Sequence, residues 1–269
     1  MISARAVSFG YDDNLVLDDV DLRVRHRQVV GLVGPNGSGK STLLRTLYGR
    51  LEPRAGMVTM DGSLVHGLGP RDLAGRVAVV ARDGGADLPL RCLQVVLLGR
   101  SPHRPAWEPF SADDHQLAVD ALAQVDAAHL ADRDFATLSS GEQQRVLIAR
   151  TLAQQAEHLL LDELATHLDV RYQHELLQLV RTLPVTTVLV LQDLNLAARY
   201  CDELVLLDRG RLVSAGTPGE VLRAEVLEPV YGLRVRRIDD DGIVQLVFTP
   251  KRSTRPVAPP RPTADTASG

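Results

Sequence analysis

The sequence has 269 residues, of which 45% are hydrophobic and 24% charged, the composition of a folded globular protein. This excludes a disordered, collagen-like or disulfide-dense chain, and the formal net charge of -4 provides no general attraction for nucleic acid. No run of 18 apolar residues is present and no basic-then-apolar segment follows Met1, so we expect neither a membrane span nor a secretory signal. The cysteines, Cys92 and Cys201, favour a reducing compartment and packing roles.

Lysine is rare in this chain. Of 30 basic residues only Lys40 and Lys251 are lysine, and the other 28 are arginine. Residues 251–269 are rich in Pro, Arg, Thr and Ala and are predicted to form a disordered tail. Codon bias in a GC-rich genome accounts for the arginines, but it does not explain the one lysine of the predicted folded region. We therefore expect a specific role for Lys40.

Short apolar runs alternate with helical periodicity along the chain. Strands are predicted at residues 2–9 and 22–24, with a turn at 12–14. A buried strand at 28–33, a glycine-rich turn and a helix at 41–48 then form half of a parallel α/β unit. Further strands are predicted at residues 77–80, 159–161, 187–191 and 204–207. The pattern indicates a largely parallel sheet covered by helices.

Strand-like runs are absent between residues 90 and 156, where helical periodicity occupies 113–125 and 143–155. This predicts a helical insertion within the α/β frame. A small hairpin is predicted at 234–238 and 243–248, around an acidic turn. The eight histidines lie mostly at predicted surface or helix positions and show no metal-ligand spacing.

The glycine-rich turn carries a phosphate-binding pattern. Its sequence GPNGSGKS matches G-x-x-x-x-G-K-[ST], which chance would produce in roughly one chain in a thousand of this composition. The glycines let backbone N–H groups point inward, Lys40 supplies a flexible positive charge for the β and γ phosphates, and the Ser41 hydroxyl can ligate Mg²⁺. The nucleotide-binding residues expected here are Gly34, Pro35, Asn36, Gly37, Ser38, Gly39, Lys40, Ser41 and Thr42.

The predicted strand at 159–161 ends in two carboxylates. Asp162 is a candidate ligand for Mg²⁺, and Glu163 is a candidate general base that polarises the water attacking the γ phosphate. An apolar run before Asp-Glu is common at strand ends. It becomes informative because it follows the phosphate loop by about 120 residues, with a helical insertion between.

The segment LSSGEQQRVLIAR, residues 138–150, resembles the signature motif of the ATP-binding cassette (ABC) transporter ATPases, usually LSGGQ or LSGGE. In that family the motif binds the γ phosphate of ATP held by the opposite subunit. The resemblance assigns this role to Ser139 and Gly141, where a hydroxyl, a backbone N–H and a helix start are suitable phosphate ligands. A capped helix start is the alternative. The residues of this segment that the resemblance expects to contact nucleotide are Ser139, Ser140, Gly141 and Glu142.

The resemblance covers roughly residues 2–248. Tyr11 matches the aromatic residue that stacks on adenine, and Asp169 is the acid of the D-loop, THLD. Residues 97–104 and 193–222 resemble the branch that imports iron–siderophore, haem and cobalamin complexes. In that branch the segment from 88 to 104 receives the membrane permease.

The fold implied by the resemblance is a P-loop NTPase (RecA-like) α/β core with a mostly parallel sheet, an N-terminal antiparallel β subdomain and a helical insertion subdomain. A single ABC ATPase domain would occupy residues 1–250. Its parts would be a core at about 1–86 and 157–232, a helical subdomain at about 87–156 and a C-terminal hairpin at 233–250.

Four residues depart from the family pattern. Arg82 stands where the Q-loop has glutamine; arginine cannot ligate a cation, but it can contact a phosphate of the nucleotide. Gln192 replaces the switch histidine as a candidate catalytic residue; its amide can hydrogen-bond the γ phosphate but offers no proton transfer. Ser140 replaces a signature glycine, and Leu164 replaces a proline after the general base. For Arg82 and Gln192 together, slowed and abolished hydrolysis are both open.

The resemblance implies the ATP-binding subunit of an importer, with ATP and Mg²⁺ as cofactors. Expected partners are a second cassette, as a homodimer, integral membrane permease subunits and, indirectly, a substrate-binding protein. The expected location is the cytoplasmic face of the inner membrane. One alternative is a catalytically weakened cassette acting as the non-hydrolysing half of an asymmetric pair. Another, a soluble ABC protein of translation or DNA repair, usually has two cassettes or a coiled-coil insert, and this chain has neither.

Overall fold

The computed structural model describes residues 1–81, 89–105, 107–163 and 168–251. Its strands are β1 (Ile2–Tyr11), β2 (Asn14–Val24), β3 (Val29–Val33), β4 (Ala55–Met60), β5 (Ser63–Leu64), β6 (Val77–Val80), β7 (His158–Leu161), β8 (Thr186–Val190), β9 (Glu203–Asp208), β10 (Arg211–Gly216), β11 (Leu233–Asp240) and β12 (Ile243–Pro250). Its α-helices are α1 (Lys40–Leu47), α2 (Pro70–Arg76), α3 (Cys92–Leu97), α4 (Ala112–Gln124), α5 (Ser140–Ala153), α6 (Val170–Thr182), α7 (Leu194–Tyr200), α8 (Pro218–Val221) and α9 (Ala224–Tyr231).

A six-stranded sheet in the order β10-β9-β3-β8-β7-β6 forms the centre of the molecule. The strands from β9 to β6 are parallel, and only the edge strand β10 runs antiparallel to its neighbour. All residues of β3 are buried, and they alternate between two cores: Val30 and Leu32 face one, Val29 and Val33 the other. Burial on both faces explains the unbroken apolar sequence of this strand. The predicted parallel sheet is confirmed.

A four-stranded antiparallel sheet, β2-β1-β4-β5, packs on one face of the central sheet. The two predicted N-terminal strands are longer than expected, because β2 already begins at Asn14. Strands β4, β5 and β10 were not predicted. In β4 the first three residues are exposed and include a glycine, and β10 has no fully buried residue. Segments with so few buried residues carry a weak apolar pattern.

Helices α3, α4 and α5 pack against one another between β6 and β7. No strand is described between β6 and β7, which agrees with the predicted helical insertion. Helices α4 and α5 begin earlier than predicted, after the N-caps Ser111 and Ser139. The predicted C-terminal hairpin is present as β11 and β12. Every helix in the described ranges is too short or too polar to cross a lipid bilayer.

Candidate nucleotide site

The glycine-rich loop lies between β3 and α1, at the carboxyl edge of the central sheet. Gly34 has a φ of 142°, and a Cβ atom there would lie 2.1 Å from the carbonyl oxygen of Leu207. This position therefore requires glycine, because any side chain would collide with the backbone of β9. The Ser38 N–H donates to the Pro35 carbonyl at 3.2 Å and closes a tight turn.

Helix α1 begins without a side-chain cap. Its N-cap is Gly39, and its first turn contains no acidic residue. The first N–H groups of the helix thus keep their capacity to donate, and the positive end of the helix dipole faces the loop. An uncapped helix start of this kind is suited to binding an anion.

The Lys40 side chain is folded into its own loop. Its Nζ donates to the carbonyl oxygens of Gly34 and Pro35, both at 2.8 Å, and the residue is 5% exposed. Burial lowers the pKa of Lys40, while the carboxylates of Glu163 and Asp162 oppose that shift. A phosphate would give this ammonium group charged acceptors, which form stronger hydrogen bonds than two carbonyls.

Asp162 is buried directly after β7 and is held by two groups of α1. The Ser41 Oγ donates to Asp162 Oδ1 at 2.8 Å, and Arg45 Nη2 lies 3.8 Å from Oδ2. A hydroxyl and a carboxylate are oxygen ligands of the type that Mg²⁺ prefers. Arg45 was not anticipated, although its i,i+4 spacing from Ser41 places both side chains on one helix face.

Glu163 and Gln192 follow the neighbouring strands β7 and β8. The Gln192 Nε2 donates to Glu163 Oε1 at 3.0 Å. This hydrogen bond orients the carboxylate without transferring a proton to it, because an amide does not titrate near neutral pH.

Lys40, Ser41, Glu163 and Gln192 line one cavity of about 310 Å³, within the size range of small-molecule sites. Beside it, the Ser38 hydroxyl is buried and has no hydrogen-bond partner among the described residues. A buried hydroxyl of this kind needs an acceptor or donor, and a bound phosphate supplies one. The lining residues are Val16, Asn36, Gly37, Gly39, Lys40, Ser41, Thr42, Glu163 and Gln192. Their donor groups fit a nucleotide phosphate, and the oxygens of Ser41 and Asp162 fit Mg²⁺.

Tyr11 lies at the end of β1 and is 46% exposed. Its ring packs edge-to-face on Phe9, with ring centroids 5.0 Å apart. Tyr11 is not among the residues that line the cavity, whereas Val16, which the sequence did not single out, is. No sequence pattern distinguished Val16 from the other apolar residues of β2.

The signature segment begins helix α5. Ser139 Oγ donates to Glu142 Oε2 at 2.7 Å, and the Glu142 N–H donates back to Ser139 Oγ at 3.4 Å. Hydrogen bonds from Ser139 lower the pKa of Glu142. Gly141 is buried against the Tyr172 ring, where an added Cβ would lie 3.2 Å from the ring. A capped helix start, the alternative considered above, is therefore present here.

The structure does not bring every expected residue to the cavity. Residues 139–142 do not line it. Asp169 caps α6 by accepting from the Tyr172 N–H at 3.1 Å. Arg82 and Leu164 lie outside the described residues, as do the first two residues of the D-loop and part of the proposed permease-binding segment.

Comparison with known proteins gives a family match. The profile of the ABC transporter family matches residues 17–166, more than half of the chain. The cobalamin import ATP-binding protein BtuD of Halobacterium salinarum is 42% identical over 240 residues, which are 87% of this chain and 60% of that protein. The chain thus spans about three fifths of the length of this relative.

Two other relatives are matched over nearly their whole length. The hemin import ATP-binding protein HmuV of Pseudomonas entomophila is 42% identical over 87% of this chain and 94% of its own. The ferric enterobactin transport ATP-binding protein FepC of Escherichia coli is 35% identical over 93% of this chain and 94% of its own.

Solved structures give the same result. A metal-chelate type ABC transporter in an inward-facing conformation superposes with a TM-score of 0.80 and 25% identity, covering 93% of this chain and 97% of that one. The dimeric ABC transporter cassette MJ0796 superposes with a TM-score of 0.70 and 26% identity, covering 81% of this chain and 99% of that one. From the matched profile, these relatives and this fold, the chain belongs to the ABC transporter family, as an ATP-binding cassette.

Proposed function

We propose that this chain is the ATP-binding subunit of an ABC importer, and that it couples ATP binding and hydrolysis to uptake of an iron–siderophore, haem or corrinoid. The observation that carries this proposal is the convergence of Lys40, Ser41 and Glu163 on one cavity, with Asp162 hydrogen-bonded to Ser41. Three relatives import cobalamin, hemin and ferric enterobactin, which supports the cargo class.

The phosphate chain of ATP would lie on the glycine-rich loop. Lys40 would exchange its two carbonyl acceptors for phosphate oxygens, and the uncapped start of α1 would donate backbone N–H groups. Ser41 and Asp162 would hold Mg²⁺, which neutralises phosphate charge when bound. Their present hydrogen bond already places the two oxygen ligands 2.8 Å apart.

Glu163 would act as the general base. Its carboxylate accepts a proton from water as the water oxygen attacks the γ phosphorus in line, and the bond to the ADP oxygen breaks. Gln192 would be a positioning residue, because its amide holds Glu163 Oε1 at 3.0 Å. Hydrolysis then proceeds without a switch histidine.

A second copy of the cassette would complete each site. Ser139, Ser140, Gly141 and Glu142 of one copy would bind the γ phosphate held by the other, through the exposed start of α5. Tyr11 would contact adenine, Arg82 the γ phosphate, and Asp169 would lie at the interface. The dimeric cassette among the similar structures supports this arrangement.

The remaining partners follow from the importer relatives. Integral membrane permease subunits would bind the chain at the cytoplasmic face of the inner membrane, and a substrate-binding protein would deliver the cargo to them. Two copies of the cassette would form a homodimer with two nucleotide sites.

A second candidate is a weakened cassette that forms the non-hydrolysing half of an asymmetric pair. The observation that favours it is Gln192, which occupies the place of a proton-transferring histidine beside Glu163. Measurement of ATP turnover separates the two candidates.

Transport provides the test of the importer proposal. The chain is co-purified with its permease, reconstituted in proteoliposomes with the binding protein, and assayed for uptake of labelled ferric siderophore, haem and corrinoid. We expect ATP-dependent uptake of one cargo with the native chain and none with Glu163→Gln. A native complex that moves none of the three cargoes would refute the assigned function.

A further inference from the structure

A group of metal-ligating side chains lies at the amino edge of the central sheet, opposite the nucleotide cavity. His26 precedes β3, Asp61 lies in the turn between β4 and β5, and Glu157 precedes β7. One ligand atom from each of them lies within 4.8 Å of the others. Three segments far apart in sequence therefore present an imidazole and two carboxylates to one point. No spacing of histidines along the sequence indicated this group, because only the fold brings the three residues together.

The spacing of these atoms suits a small cation. His26 Nε2 and Asp61 Oδ1 are 3.7 Å apart. Two ligands of a tetrahedral zinc ion, each at about 2.0–2.2 Å from the metal, are roughly 3.3–3.6 Å apart. All three residues are exposed, so small rotations of the side chains can bring the ligand atoms to this separation.

Behind the cluster, a buried histidine holds Asp61. His158 is 0% exposed, and its Nε2 lies 2.7 Å from Asp61 Oδ2. At this distance the imidazole donates Nε2–H to the Asp61 carboxylate, which fixes the His158 tautomer with its proton on Nε2.

The tautomer leaves His158 Nδ1 as a buried acceptor with no partner among the described residues. A buried polar atom without a partner disfavours the fold, so packing alone does not account for a histidine at this position of β7. The hydrogen bond from His158 to Asp61 accounts for the histidine, because residues that hydrogen-bond a ligand carboxylate orient it in metal sites.

A positively charged group, the Met1 ammonium, already lies beside His26 and Asp61. The Met1 nitrogen contacts Asp61 Oδ1 and lies 3.0 Å from His26 Nε2. The ammonium group uses the same oxygen and nitrogen atoms that a metal would use. A divalent cation carries twice its charge and accepts electron pairs from imidazole, which an ammonium group cannot do.

We propose that His26, Asp61 and Glu157 bind one Zn²⁺ per chain, with His158 as the positioning residue of Asp61. The mixture of imidazole nitrogen and carboxylate oxygen suits zinc, whereas Mg²⁺ and Ca²⁺ prefer sites made of oxygen alone. Three side-chain ligands leave the fourth position for water. The ion would join the antiparallel sheet to the amino edge of the central sheet, away from the nucleotide cavity.

Zinc titration of the whole chain tests the site. The protein is stripped with EDTA, dialysed into excess MgCl2 to occupy oxygen-only sites, and titrated with ZnCl2 by calorimetry, without nucleotide. We expect one Zn²⁺ per chain and a rise in melting temperature. In His26→Ala and Asp61→Asn, we expect zinc affinity to fall about 10-fold or more.

Each control makes the same substitution at a comparable residue outside the proposed zinc site. His66→Ala removes another exposed histidine, and Asp241→Asn changes an Asp-Gly turn with a φ of 48°, close to the 49° of Asp61. Both should bind zinc as the native chain does. Asparagine tolerates this left-handed conformation, so Asp61→Asn keeps the turn.

His158 is tested by partial rescue. His158→Ala should weaken zinc binding about 10-fold, while His158→Gln, whose amide can still donate to Asp61, should restore part of the loss. The melting temperature of each zinc-free variant separates weak binding from poor folding. The proposal is overturned if His26→Ala binds zinc like the native chain, if the controls lose affinity equally, or if Asp162→Asn alone removes it.

Discussion

Lys40 is 5% exposed and is surrounded by the carbonyl oxygens of its own loop. An ammonium group is compact and donates in any direction, whereas a guanidinium is planar and wider. In a chain whose other basic residues are arginine, except Lys251, this geometry explains why lysine is present at position 40.

We expect Lys40→Arg to weaken ATP binding at least 10-fold, although the charge is kept. The guanidinium does not fit between the carbonyls of Gly34 and Pro35 and cannot reach the phosphates from the same loop conformation. Titration with a fluorescent ATP analogue measures the dissociation constant. Lys251→Arg is the control, because Lys251 is half-exposed and pairs with Glu228 at 3.6 Å. Equal affinity of Lys40→Arg and the native chain would contradict this account of the loop.

Gln192 sets the expected pH dependence of hydrolysis. Its amide donates to Glu163 Oε1 at 3.0 Å and has no ionisation near neutral pH. A histidine at this position would add a group that titrates at about pH 6.5. The native chain therefore lacks this source of pH dependence.

The prediction is that Gln192→His gives the profile of kcat against pH a new inflection near about pH 6.5. Gln192→Ala should lower kcat by about 10-fold or more with little change in KM, since the base loses its orienting contact. Steady-state ATPase rates between pH 5.5 and 9 measure both. Superimposable profiles for Gln192→His and the native chain would show that residue 192 does not act on the reaction.

At the scale of elements, one arginine joins the turn Leu98–His103 to helices α4 and α5. Arg100 Nε donates to Asp114 Oδ1 at 2.8 Å, and Nη1 donates to the Ala153 carbonyl at 2.8 Å and Gln155 Oε1 at 2.9 Å. The hydrogen bond from Arg100 lowers the pKa of Asp114 to about 2. The segment expected to receive a permease is thus fixed to the helical subdomain.

Asp114 should make folding stability depend on pH in acid. Its folded pKa of about 2 lies below the ordinary value of 3.8, so its stabilisation is complete above about pH 4 and is lost as the pH falls through 2. Asp114→Asn should lower the free energy of unfolding at pH 7 by about 2 kcal/mol and flatten the decline below pH 4. Urea unfolding followed by circular dichroism measures this. Asp113→Asn is the control, and an unchanged acid decline in Asp114→Asn would contradict the role of the pair.

Elements with one clear period were predictable from sequence, and others were not. The apolar run of β3 and the capped pattern of α5 gave the correct element type. Helix α3 (Cys92–Leu97) has only six residues, too few to display a period. Strand β10 alternates between half-buried and exposed residues, so its pattern was too weak to identify.

The candidate site was predictable where its residues are contiguous in sequence, and not where they meet only through packing. The phosphate loop and the carboxylates after β7 are contiguous motifs, so their residues could be named from sequence. Arg45 and the bond between Gln192 and Glu163 depend on how α1, β7 and β8 pack. Contacts of this kind join distant segments and leave no local pattern.

At the scale of the whole molecule, each cassette would contribute to its partner's site. The exposed residues Ser139 and Ser140 begin α5 but do not line the cavity of their own chain. In the proposed dimer, the phosphate bound at this helix start would be that of the nucleotide held by the other chain.

Replacement of Ser140 tests this arrangement. With Mg-ATP, Glu163→Gln should form a dimer, seen as doubled mass by light scattering. Glu163→Gln/Ser140→Asp should stay monomeric, because the added carboxylate would repel the partner's γ phosphate, while an acid in the first helical turn does not weaken the fold. ATP affinity of the monomer should not change, since Ser140 is not in the cavity. Ser140→Gly is the control, and a dimer with Ser140→Asp would contradict the arrangement.

We expect this chain to hydrolyse ATP with glutamine in place of the switch histidine, and Mg-dependent ATP turnover at saturating ATP measures this. The native chain and Glu163→Gln are compared, alone and with the permease, and Glu52→Gln, an exposed glutamate, is the control. We predict turnover by the native chain and by Glu52→Gln, and a loss of about 100-fold or more in Glu163→Gln with ATP affinity retained. ATP binding without turnover by the native chain in both settings would contradict the claim.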